Sequence, residues 1–257
     1  MSIESRRKST VVIKEGHSER RPDMYYGYGM LDPTYLLVII GAVLCLVASA
    51  HVKSTYRKYA KIRSASGITG AQAAEMILRR NGVIGVTVQH VAGELTDHYD
   101  PARGVVNLSD ATYNSTSVAA IGVAAHECGH VMQHETGYLP LRLRTALVPV
   151  ANIGSNIGIW IVMLGLILGL NQSLAMIGVY LFSFGVLFQL VTLPVEFDAS
   201  HRALVMLQDY GILGDTEVKS SRAVLNAAAM TYVASAAASV LQLLRLLMIV
   251  NGGRRRR

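Results

Sequence analysis

The residues most able to do chemistry are in the run Ala124-Ala125-His126-Glu127-Cys128-Gly129-His130. On a helix, residues four apart share a face, so His126 and His130 can aim two imidazoles at one ion. Glu127 stands beside the first of them, placed to take a proton from a coordinated water. Zinc lowers the pKa of such a water to near 7 and so supplies a nucleophile at ordinary pH. Two unconnected helix histidines and a solvated glutamate are the plain alternative. The apolar turns before the motif (Val118, Ala119, Ile121, Val123) speak against it, because a buried helix must give three polar groups partners.

His134 continues the series, but eight residues along an unbroken helix span ~12 Å. Two ligands of one zinc each lie only ~2 Å from it, so His134 is excluded as a partner of His126. His51, His90 and His98 are scattered and read as surface or interface residues. A third ligand is expected from another segment, and Glu196 is the strongest candidate. It is the first charge after the uncharged stretch 145–195 and begins Glu196-Phe197-Asp198-Ala199-Ser200-His201-Arg202. An interfacial carboxylate at a membrane-helix end remains the alternative. For the oxyanion of a tetrahedral intermediate, Tyr232 is the best placed phenol, with a plain interfacial tyrosine as the alternative. Cys128 lies between the histidines and reads as a small packing residue.

These residues need elements to position them. The chain has 257 residues, 24 Lys and Arg against 17 Asp and Glu, and a net charge of +7. Only 16% of residues are charged and 51% are hydrophobic, with mean hydropathy +0.36. Soluble domains are nearer a quarter charged, which argues against both disorder and an ordinary cytosolic enzyme. Two cysteines make no disulfide framework.

Residues 1–30 form a polar arm, expected to be mobile and ending in the aromatic cluster around Tyr25. Residues 31–52 hold the first membrane helix: from Pro33 to Val52 no residue is charged, over the ~20 residues a span requires. A cleaved signal peptide competes through Ala48-Ser49-Ala50. The long polar segment before it and the basic cluster after it favour an anchor.

Residues 53–144 form the polar catalytic region, with a helix over 69–80 capped by Thr69, strands over 83–91 and 105–108, and the HExxH helix over 115–134. The strand at 105–108 is expected to offer an edge to an extended peptide. Residues 145–195 fit two membrane helices, 147–170 and 173–194, joined by a tight turn at 171–173. Gly154, Gly158, Gly165 and Gly169 are spaced for close helix packing. Residues 196–226 are a polar patch that begins with the candidate third-ligand helix, and 227–257 an apolar helix with the basic tail Arg254 to Arg257. Arg245 interrupts that last segment, which favours its lying within the protein or along the interface over a fourth span. The basic residues at 53–63 and Arg142, Arg144, Arg202, Lys219 and Arg222 flank one side, which predicts a cytoplasmic catalytic region.

The runs AAHECGHVMQHETGYLPLRLR, EFDAS and GELTDHYDP resemble the YugP-like neutral zinc metallopeptidases, membrane-bound enzymes of bacteria, over about residues 31–250. The resemblance implies a mainly α, integral-membrane fold: a zincin-like helical metalloprotease core with a small β element and three to four transmembrane helices. It also implies one zinc per chain on His126, His130 and Glu196, with Glu127 as general base. The HtpX and CAAX-type membrane proteases look like distant relatives. They carry Glu-x-x-x-Asp, whose Asp supports a histidine ligand. Ser200 stands at that position here, which puts that support in question and leaves Asp198 as a substitute. The expected partners are the lipid bilayer and a peptide or membrane-protein substrate. Nucleic acid is not expected, because the basic residues flank membrane helices with no aromatic-interleaved surface. An intramembrane site-2-type protease lacks its second Asp motif here. The reading from another class is a non-catalytic membrane chaperone or assembly factor with a structural metal, although such sites are usually rich in cysteine.

Overall fold

The computed structural model describes residues 33–167 and 172–252. The expected N-terminal arm, Gly169 of the packing glycines, Asn171 of the tight turn and the arginine tail lie outside the described residues.

Among the described residues, six helices and three short strands follow in order: α1 Tyr35–Tyr59, α2 Gly70–Arg80, β1 Thr87–His90, β2 His98–Asp100, β3 Val105–Leu108, α3 Val118–Glu135, α4 Leu139–Ile167, α5 Gln172–Asp209 and α6 Asp215–Gly252. The fold is mainly helical and built for a membrane, with four helices (α1, α4, α5, α6) long and apolar enough to cross one. Their outward faces are apolar and exposed, among them Leu36, Val43 and Leu46 on α1 and Ile153, Trp160 and Met163 on α4. Lipid covers such faces at no cost.

Local chemistry sets several boundaries. Thr69 accepts from Gln72 N (3.2 Å) and Gln72 Oε1 accepts from Thr69 N (2.9 Å), a reciprocal cap that starts α2. Ser117 caps α3 by accepting from Ala120 N at 3.2 Å. Gly137, at φ +61°, turns the chain out of α3 and into α4.

The sheet has the order β1-β3-β2, with β1 parallel and β2 antiparallel to β3. This corrects the expectation for 105–108. Val105 to Leu108 is the central strand, and both its edges are taken by neighbours, which buries Val105, Val106 and Leu108. The edges belong to β1 and to β2, a three-residue strand too short and polar to show alternation in sequence.

Two of the apolar segments also run further than expected. α5 does not stop at Pro194 but passes through it to Asp209. Proline removes one amide donor and bends a helix without having to end it, where packing holds both sides. α6 likewise runs unbroken from Asp215 to Gly252, and Arg245 lies 4.0 Å from the Tyr35 ring of α1. A guanidinium stacked on an aromatic ring is spared direct exposure to lipid.

α3 lies at the centre of the polar half. It is packed by α2, α5 and α6 in a core that includes Ile77, Leu108, Ile121, Val131, Leu207 and Leu225. α4 and α6 flank α5 in the apolar half, and α1 packs on α6.

Candidate metal centre

α3 and α5 bring the expected ligands together. His126 Nε2 lies 3.4 Å and His130 Nε2 3.7 Å from Glu196 Oε2. The three donor atoms are all within 4.8 Å of one another. The imidazole rings stand nearly perpendicular, at 80°, with centroids 4.8 Å apart. Glu196 is 3% exposed, and its Oε2 is buried with no hydrogen-bond partner. Donors each ~2 Å from a tetrahedral ion are ~3.3 Å apart, close to the two histidine–carboxylate distances, and two imidazoles with a carboxylate are a ligand set that zinc takes.

The approach depends on Gly129. A Cβ there would be 2.4 Å from the backbone oxygen of Ala199, so only glycine lets α3 come this close to α5. Ala199 is three residues from Glu196, and the same contact therefore sets how far the carboxylate is from the two rings.

Each histidine is oriented through its other nitrogen. His126 Nδ1 lies 3.1 Å from Ser200 Oγ, and His130 Nδ1 lies 3.0 Å from Gln133 Oε1. Gln133 is fully buried, and its amide nitrogen donates to Val195 O (2.7 Å) and Asp198 Oδ2 (2.8 Å). Both of those partners are acceptors, so the amide oxygen must face His130. Asp198 in turn accepts from Arg202 Nε at 2.7 Å. The Gln133 oxygen can only accept, so His130 Nδ1 donates and its Nε2 lone pair is left for a metal; the Ser200 hydroxyl is able to accept from His126 Nδ1 in the same way. Burial opposes charge on His130, but the facing Glu196 carboxylate and the charge of Glu127 outweigh it and raise the histidine's pKa above the ordinary value. The space between the rings thus favours a positive charge.

Glu127 is buried and lines the same cavity, about 830 Å³ in volume, as the three donors and Tyr232. Asp97, His98, Tyr99 and Pro101, in and beside edge strand β2, also line it. His134 is exposed, with its ring edge-on to Tyr99 at 6.1 Å, and stands apart from the donor set. His51, His90 and His98 are also exposed. Cys128 points away from the cavity, with Sγ 3.7 Å from Ala74 O. Burial, and then the neighbouring Glu127 charge, push its thiol far above the usual range, so it is no nucleophile.

Gln133 and Arg144 were not found from the sequence. Gln133 had a signal, since it is three residues after His130 and so on the same helical face. Arg144 had none beyond being the last charge before the uncharged stretch.

Residues 34–251 match the family described as "Putative neutral zinc metallopeptidase". The chain belongs to that family. It is similar to the "Putative membrane protease YugP" of Bacillus subtilis (strain 168), with 45% identity over 218 residues, 85% of this chain and 96% of the relative. No solved structure matches. Within this zinc metallopeptidase family, His126, His130 and Glu196 are the grouped donors of the present chain.

Proposed function

We propose that this protein is a membrane-bound zinc endopeptidase that cuts peptide bonds at the membrane surface on the cytoplasmic side. One observation carries the reading. An unpartnered buried carboxylate oxygen faces two oriented imidazoles, beside a glutamate, in a cavity open to a peptide. A structural clip would close the site with a fourth protein ligand, commonly cysteine.

His126, His130 and Glu196 would hold the ion, which when bound supplies Lewis acidity to the scissile carbonyl and acidity to the attacking water. Glu127 accepts the proton of that water and passes it to the leaving amine. Tyr232, on the cavity wall, donates its hydroxyl to the oxygen that gains negative charge. β2 replaces β3 as the strand whose free edge can pair with an extended substrate. Membrane-surface placement is supported by α5, which carries Glu196 directly after its uncharged turns. The cytoplasmic side is supported by the basic residues that adjoin the polar half, the 53–63 cluster at the C-terminal end of α1 and Arg142 and Arg144 at the N-terminal end of α4. Substrates are then membrane proteins or peptides close to the bilayer.

The test is Glu127→Gln in the detergent-solubilised full chain. Casein cleavage is expected to fall at least ~100-fold, with zinc still bound at one per chain. Cleavage at the wild-type rate would sink the mechanism.

A further inference from the structure

The first turns of α4 place two guanidinium groups on the cavity, Arg142 and Arg144. An arginine at the inner end of a membrane helix ordinarily reaches for headgroups, which accounts for the exposed Arg142. It does not account for Arg144. That side chain is 32% exposed and turns inward over the Phe188 ring at 5.9 Å, with Nη1 4.0 Å from Glu196 Oε1. Oε1 is not the oxygen facing the histidines. Among the described residues, none accepts a hydrogen bond from the Arg144 guanidinium.

A cation held by His126, His130 and Glu196 offsets the charge that Arg144 now faces. Five N–H donors and a full positive charge are then left in the cavity beside the scissile bond. Asp97 also lines the cavity, but its oxygens are taken by Ser109 N (2.8 Å) and Ser109 Oγ (2.9 Å), and it is no hydrogen-bond partner of Arg144. A planar guanidinium in a partly desolvated site selects a carboxylate, which it binds through paired N–H bonds.

We propose that Arg144, with Arg142 at the rim, is a carboxylate subsite, so the cavity prefers peptides presenting an acidic side chain or a free C-terminal carboxylate near the cut bond. This rests on the peptidase reading above.

The zinc-loaded full chain is used to digest dephosphorylated casein, and the cut sites are mapped by mass spectrometry. The best-cut stretch is then synthesised in four forms, with the terminus free or amidated and the nearest acidic residue kept or replaced by its amide. The wild type is expected to favour one carboxylate form over its amide by about tenfold or more, mainly in KM, and which form wins separates the two sources. Arg144→Gln is expected to remove that ratio and Arg144→Lys to keep part of it. Binding of the same four peptides to Glu127→Gln, with and without Arg144→Gln, reads the preference without turnover. Equal handling of all four by the wild type, or equal weakening of all four by Arg144→Gln, overturns the proposal. Should Arg144→Gln fail to fold or to hold zinc, the four-peptide ratio in Arg144→Lys decides, and a ratio unchanged from wild type there counts against a paired contact. If casein is not cut at all, the peptidase reading fails. If it is cut without regard to carboxylates, only the subsite fails.

Discussion

Helix α5 is approached through glycine at two places, by α3 in the polar half and by α4 in the apolar half. In the polar half a Cβ on Gly129 would be 2.4 Å from Ala199 O. In the apolar half a Cβ on Gly154 would be 2.1 Å from Leu181 O, and Gly158 and Gly178 face each other further along. The device is the same, but the forces around it differ. α3 is buried on most sides by protein, so apolar burial drives its docking. α4 is buried along one seam and faces lipid elsewhere, where no hydrophobic force joins helices and close backbone contact must supply the attraction. A close approach therefore fixes ligand geometry in one half and only helix association in the other.

One added methyl at each seam tests that contrast. The largest effect is expected from Gly129→Ala, which forces α3 away from the backbone of Ala199 and carries the histidines from Glu196. Metal analysis should find zinc below one per chain and casein cleavage should be lost. Full zinc and activity would break the comparison.

The orientation of the rings gives the next effect. Gln133→Ala is expected to weaken zinc binding by about 10–100-fold in a chelator competition, since it frees His130 and strips partners from Val195 O and Asp198. Ser200→Ala should cost less, because one hydroxyl contact is lost and water can replace it. The reverse order would mean that Ser200, and not the Gln133–Asp198–Arg202 chain, dominates the support.

Gly154→Ala is expected to have the smallest effect on the site. Overpacking of this kind costs about 1–3 kcal/mol, seen as a lower melting temperature in detergent, while the folded fraction keeps its zinc. Loss of zinc from protein that remains folded would show that the two seams are coupled.

Much of this was legible in the sequence where the cause is local. The cap at Thr69, the shared face of His126 and His130, and the apolar spans all follow from spacing along the chain. Glu196 stood out because it breaks an uncharged stretch, and it does join the two histidines in one donor group. Its continuity with the membrane helix was hidden by Pro194, whose local preference is overridden by packing on both sides. The central place of Val105 to Leu108 was hidden because strand order in a sheet depends on partners, one of which is only three residues long.

The support of the two rings shows the division best. Ser200 seemed a doubtful replacement for an acidic residue, and Asp198 an uncertain substitute. In the folded chain Ser200 meets His126 directly, while Asp198 reaches His130 only through Gln133. Residue types and periodicity determined that two imidazoles share a face and that a third ligand must come from elsewhere. Only the tertiary structure decided which hydroxyl, amide and guanidinium face them. Helix periodicity is set by bonds within a few residues, whereas side-chain partners depend on how closely two helices dock, and here that distance is set by one glycine against one backbone oxygen.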